Sequence, residues 1–474
     1  MPTLPSDRAT LLLGRAIPHD ASWDVIVVGG GPAGCAAAAA AAREGAKTLI
    51  LEQTQALGGS GTTALVPSWC PFSDKEKIIY RGLAEQVFTA ALAAVPHVRP
   101  GQLDWVPINA EHLKRVYDDL LAAHGARVRF QTFLTGVEHD GAGGITALLV
   151  ANKHGLQALS ARVYIDCTGD GDLAAWAGAD FHQGSSSGEV QPATHCFQLA
   201  GVNEAALANA SPLHGGNPKC VIHRILASGK YPEIPDSHFC VAKSAPGVFG
   251  FNAGHLFHVD NTDPDSVSKA AAQGRKLASA YQRALAEFEP EVFGKASLVS
   301  TGAQVGIRET RRIVGDYTLT LEDWLARRTF PDEICRNAYF IDLHFTAEEA
   351  RKKQNVDVEA RFQHYAAGES HGIPYRCLTP KGIRNLLVAG RNISCDHPAH
   401  GSIRVMPVCL AMGEAAGVAA ALAAADAGDT HAVDTRRLRE RLRACGAYLP
   451  VSEGTEVQGE SRDALLGDMF PAGR

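Results

Sequence analysis

Apolar positions in this chain come as short unbroken runs that end in glycine, alternating with longer stretches of helical periodicity. Val25 to Val28 is such a run and predicts a buried strand; it passes directly into glycines at 29, 30, 31 and 34 and then into an alanine-dominated helix. Gly45 closes that helix, and Thr48 to Leu51 predicts the next strand, with Glu52 at its tip. Over 108–123 the residues Leu113, Val116, Tyr117, Leu120 and Leu121 recur at helical spacing, and Gly125 ends the element. Val128 to Gln131 predicts a strand, Ile145 to Val150 with Leu156 to Val163 a small hairpin layer, and Val163 to Asp172 a strand entering a glycine turn. Later, Val267, Ala271, Gly274, Leu277, Tyr281, Leu285 and Phe288 mark one face of a helix over 266–288. Thr320 with Asp323 is placed to cap the helix that holds Trp324. A last strand ends at Gly390 and Arg391, and Pro407 opens a long apolar helix.

The first strand, turn and helix carry the clearest chemistry. Gly29 permits the turn, Gly31 lets the backbone approach a pyrophosphate, and Gly34 lets the helix lie close on the sheet. Pro32 suits the first helical position, Ala33 follows it, and the helix start offers unpaired N–H groups to phosphates. Glu52 stands about 20 residues beyond the turn, where a carboxylate accepts hydrogen bonds from an adenosine ribose, with Gln53 beside it. The unit is therefore expected to bind an adenine dinucleotide.

Composition narrows this further. A chain of 474 residues suits two or three domains, and 46% hydrophobic with 20% charged residues is ordinary for a globular protein. The net charge of −6, with no long basic run, argues against nucleic acid as a partner. The first 22 residues hold only a three-leucine core, too short for a secretory leader, so a cytoplasmic location is expected. The late segment 408–425 contains Gly413, Glu414 and Gly417 and reads as an internal helix, with no membrane partner. Eleven cysteines without a CxxC pair suggest buried thiols, and Cys70 is read the same way in preference to a covalent attachment point. Cys395, His397 and His400 lack a second ligand cluster, so no metal is expected.

After Glu52 the chain gives Leu57-Gly58-Gly59-Ser60-Gly61-Thr62-Thr63. This low-bulk stretch resembles the two-dinucleotide-binding-fold flavoproteins of glutathione-reductase type, where it runs under FAD. The combination of GGGPAG, TGDGD at 168–172, RETRRI at 308–313 and AGRNIS at 389–394 resembles the FAD-dependent oxidoreductase family, over about residues 23–427. The resemblance implies an α/β fold: a Rossmann-like FAD-binding domain with a parallel sheet and a small β layer, from 23–180 and 378–430. It implies an inserted α+β substrate domain over 181–377, between a tail at 1–22 and a C-terminal helix and tail at 431–474. It implies FAD rather than NAD, met by Gly59, Ser60, Gly61 and Thr62, by Val137, by Thr168, Gly169 and Asp170, and by Gly390, Arg391 and Met406.

On this resemblance FAD supplies the reactive centre, and the protein must place a small-molecule substrate and remove a proton. Histidine suits that task. His397 and His400 lie just before the late helix, while His255 in FNAGH and His344 in DLH fall on the substrate side. Arg308, within the Arg308, Arg311 and Arg312 group, and Arg404 suit an acidic group of substrate or flavin. Tyr375 is placed to lie over the flavin, with core packing as the alternative. The leading expectation is hydride transfer from a small hydroxylated or carboxylated substrate. Flavin-dependent hydroxylation and a non-catalytic binding role are the alternatives, and a homodimer is compatible with the sequence.

Overall fold

The protein is described from a computed structural model covering residues 14, 16–186, 188–344 and 364–450. The first apolar run becomes β1 (His19–Val28), which begins within the expected N-terminal tail because a bulge between Asp20 and Trp23 carries the strand backwards. β1 pairs in parallel with β2 (Thr48–Leu51), and β2 in turn with β3 (Arg127–Arg129). β4 (Phe133–His139) and β5 (Ile145–Asn152) form an antiparallel meander that leads into β6 (Gly155–Asp166). The sheet order is β3-β2-β1-β6-β5-β4, with Leu386–Val388 also joined in parallel to β6.

β6 corrects one sequence expectation. Its first half pairs with β5, while Tyr164 to Asp166 pair with both β1 and the late strand. The expected hairpin strand and the strand entering the glycine turn are thus one element of 12 residues.

Two long helices cover the parallel sheet. Pro32–Arg43 is buried along most of its length, as its alanines require, and Met406–Ala424 packs against it. Gly413 and Gly417 face it: a Cβ at Gly413 would overlap the Ala33 carbonyl oxygen, and one at Gly417 the Ala37 carbonyl oxygen. Met406–Ala424 is long and apolar enough to cross a membrane by composition, but it is 89% buried inside the fold. Helices Ala110–His124 and Pro264–Phe288 match the sequence reading; Asn109 and Asp263 cap their starts. Thr320 and Asp323 form the expected capping box.

A second antiparallel sheet takes the order Ser297–Thr301, Phe197–Ala200, Val248–Ala253 and Phe239–Ala245. It has its own apolar core, where the Phe197 and Phe251 rings stack at 4.9 Å and Tyr281 of the long helix packs against Phe197 at 5.7 Å. Helix Thr435–Ala444 follows, and the expected C-terminal tail lies outside the described residues from 451 onward. None of the eleven cysteines is paired.

Candidate active site

One cleft of about 1850 Å³ runs from the β1 turn to the second sheet. At its first end Gly29 takes φ 100°, and a Cβ there would overlap the Cys167 carbonyl. Gly34 is turned away from the cleft, and a Cβ on it would strike the Gly29 carbonyl oxygen, so it holds helix to strand as the sequence implies. Gly31 lines the cleft, with no atom within 4 Å of where its Cβ would stand. No side chain caps helix Pro32–Arg43 or helix Met406–Ala424 at the N-terminus, and both starts line the same cleft. Two partial positive charges therefore face one space.

Glu52 is buried and lines this end. Its Oε2 accepts from the Gly30 N–H at 2.7 Å and its Oε1 from the Thr54 N–H at 2.7 Å. Each oxygen keeps a further lone pair for a ribose hydroxyl. The open cradle at Gly31, the uncapped helix starts and this carboxylate fit an adenine dinucleotide.

Of the residues assigned to cofactor from sequence, Gly29, Gly31, Pro32, Ala33, Glu52, Gln53, Gly59, Ser60, Thr168, Gly169, Asp170, Gly390, Arg391 and Met406 line the cleft. Gly34, Gly61, Thr62 and Val137 do not. The Thr62 hydroxyl donates to the Leu57 carbonyl at 2.6 Å, which ties the glycine loop to itself. A Cβ on Gly61 would meet Leu113 and Met406 at 3.0 Å. Val137 packs against the main core, and Thr132, Phe133 and Leu134, just upstream, reach the cleft instead. Asp170 and Arg391 neutralise each other at 2.7 Å, and Thr310 donates to Asp170 at 2.6 Å, so the three motif segments are tied together in the wall of the cofactor groove.

Three expected catalytic residues are not at the cleft. His400 is wholly buried, with Nε2 3.0 Å from the Arg391 carbonyl and Nδ1 3.3 Å from the Gln191 amide. Burial takes its pKa down to about 3. The Nδ1 of His397 lies 2.9 Å from Glu309, which also pairs with Arg312. Burial would raise the Glu309 carboxyl, but His397, His400 and Arg312 bring it down to about 2. The Tyr375 hydroxyl donates to the Thr430 carbonyl at 2.7 Å inside the core.

The other four converge at the far end of the cleft, where His255, His344, Arg308 and Arg404 all form its wall. His255 Nδ1 lies 2.8 Å from Asp236, and His255 Nε2 lies 2.8 Å from His344 Nδ1. His344 Nε2 stands 3.5 Å from Asp342, and the Arg404 guanidinium donates to the same carboxylate at 3.0 Å. Burial, then the Arg308 charge, push His344 down to about 3. Arg308 donates to the Pro192 carbonyl at 2.6 Å and approaches His238 Nε2 at 3.2 Å.

His238, Asp236 and Asp342 were missed in sequence, although the chain repeats one pattern: Asp236-Ser237-His238 and Asp342-Leu343-His344. Ring nitrogens of His238, His255 and His344 lie within 4.8 Å of one another, as metal ligands would. The His238 and His255 rings, however, stack at 4.3 Å with an interplanar angle of 9°. Lone pairs confined to two parallel planes do not meet at one point, and of the three only His255 and His344 are hydrogen-bonded to each other.

The profile of the FAD dependent oxidoreductase family matches residues 24–442. The chain belongs to that family. It is accordingly an FAD-dependent oxidoreductase enzyme, and the non-catalytic alternative falls away. No curated protein matches the chain in sequence. Among solved structures it is similar to the OxyS anhydrotetracycline hydroxylase from Streptomyces rimosus, at 13% identity and TM-score 0.44, over 89% of this chain and 65% of that one. It is also similar to BexE, at 16% identity and TM-score 0.42, over 90% and 69% of the two chains. A geranylgeranyl bacteriochlorophyll reductase-like protein from Thermoplasma acidophilum shares 13% identity with TM-score 0.42, over 96% and 98%. Likeness of this degree says nothing about reaction or substrate.

Proposed function

We propose that this FAD-dependent oxidoreductase oxidises a small hydroxylated or carboxylated substrate, with the His255–His344 pair receiving the proton that leaves its O–H or N–H group. One observation carries the reading: the hydrogen-bonded histidine pair and the dinucleotide cradle open on the same cleft. The residues that would hold FAD are Gly29 to Ala33, Glu52, Gln53, Gly59, Ser60, Thr168, Gly169, Gly390 and Met406. When bound, FAD supplies two-electron oxidation by accepting a hydride. The start of helix Met406–Ala424 would offset negative charge on the cofactor. The protein's remaining tasks are to seat the substrate and move one proton. Burial and the Arg308 charge beside the histidines keep the imidazoles neutral and able to accept, and the same charge favours a substrate anion. The antiparallel meander on β6 and the late strand beside it support a fold of glutathione-reductase type.

The same histidine pair can deprotonate a phenol, and that gives a second reading, aromatic hydroxylation with reduced flavin and oxygen. Anaerobic mixing of the holoenzyme with hydroxy acids, polyols and amines separates the two. Bleaching of the flavin by one of these classes is the expected result. Bleaching by none of them, with NADPH consumed in air and oxygen built into a phenolic product, would select hydroxylation.

A further inference from the structure

Four side chains form one line through the far end of the cleft: Asp236, His255, His344 and Asp342. Their three contacts are 2.8, 2.8 and 3.5 Å. The proton inventory along this line is restrictive. An ionised carboxylate only accepts, and a neutral imidazole has one donor and one acceptor nitrogen. Asp236 therefore requires the proton of His255 on Nδ1, which makes His255 Nε2 an acceptor. That acceptor faces His344 Nδ1, which must then carry the proton of His344. The remaining nitrogen, His344 Nε2, is left with a bare lone pair, and its neighbour is the Asp342 carboxylate. Two acceptors facing each other make no hydrogen bond, which agrees with this being the longest of the three contacts. Asp342 is held in that position by Arg404 at 3.0 Å and by the Tyr339 hydroxyl at 3.1 Å.

We infer that His344 Nε2 is the atom that takes the substrate proton, that Asp236 acts through His255 as the positioning residue that fixes this tautomer, and that Asp342 stabilises the imidazolium once formed. The relay deepens the dehydrogenation reading and rests on it. The substrate O–H bond breaks, and its proton goes to His344 Nε2. The electron pair it leaves would become the second bond of the new carbonyl, the C–H hydride being taken up by the two-electron acceptor that bound oxidised FAD would supply. His344, now charged, donates to His255 at one end and to Asp342 at the other, so all three contacts become hydrogen bonds. Removing the Asp236 charge frees His255 to turn its proton to Nε2. His344 Nδ1 must then accept, the His344 proton moves to Nε2, and the basic lone pair is lost from the side of Asp342.

Imidazole nitrogen NMR of the uniformly labelled holoenzyme at neutral pH tests the relay without any substrate, and a His344→Asn variant identifies the His344 signals. The expected spectrum shows His344 neutral and protonated on Nδ1 in the parent, and protonated on Nε2 in Asp236→Asn. Asp236→Glu, which keeps the charge, is expected to restore the parent tautomer. In anaerobic flavin reduction by a substrate found as above, Asp236→Asn is expected to lose about 10²- to 10⁴-fold in rate with its flavin still bound. An Nε2-protonated or doubly protonated His344 in the parent, or a tautomer unchanged by Asp236→Asn, overturns the relay. Correct tautomers in an enzyme whose flavin no alcohol or amine reduces would instead count against the dehydrogenation reading alone.

Discussion

Two buried carboxylates, Glu52 and Glu309, give opposite kinds of prediction. Glu52 faces the cofactor groove, so Glu52→Ala is expected to lower flavin retention, read as absorbance left after dialysis; it also strips the Gly30 N–H of its partner. Glu309 sits outside the cleft and serves the fold. Its folded pKa of about 2 lies below the ordinary value near ~4.3, so its stabilisation is present above that ordinary value and is lost as pH falls towards 2. Glu309→Gln is expected to flatten the stability curve over that acid window, measured by denaturant melts at several pH values. His397→Gln, which removes one of Glu309's partners and leaves Arg312, is expected to lower the melting temperature while leaving the rate of flavin reduction unchanged. The difference between His344 and His400 was not legible in sequence, because a histidine's role depends on whether its second nitrogen meets a side chain in the wall of the cleft or a main-chain carbonyl. The doubled Asp-x-His pattern went unread, because two three-residue matches more than 100 positions apart carry no local signal that they meet in the fold.

Among the elements, glycine placement and helix caps were readable because they are local. Gly34, Gly125 and the Thr320–Asp323 box each do what their neighbours in the chain imply. Val137 does not line the cleft because a strand's position against the cofactor groove is set by its partners: Thr132 to Leu134, at the start of β4, line the cleft, and Val137, three residues on, packs on the core. β6 was read as two strands because its two halves have different neighbours. The seam between helices Pro32–Arg43 and Met406–Ala424 is the most exacting contact. Gly413→Ala would overlap the Ala33 carbonyl oxygen, and overpacking of this kind costs about 1–3 kcal/mol. Urea melts are expected to show that loss, accompanied by weaker flavin retention, since the same contact sets where both helix starts stand.

Across the whole molecule, residues near the chain's beginning, middle and end supply one cleft: Gly31 and Glu52, Arg308 and His344, then Gly390 and Met406. The cofactor end was foreseeable because dinucleotide chemistry demands a contiguous strand, turn and helix. The substrate end was only half visible, since its histidines come from the turns that flank strands of the second sheet and from the segment before residue 345, which no single motif joins. The two uncapped helix starts carry a last consequence. Without its cofactor the protein leaves two electropositive helix starts open on one cleft, with Glu52 as the acidic group at its ribose end, so the apoprotein should take up polyphosphates there. Pyrophosphate or ADP alone is expected to raise its melting temperature in proportion to occupancy, and uncharged riboflavin to do so far less.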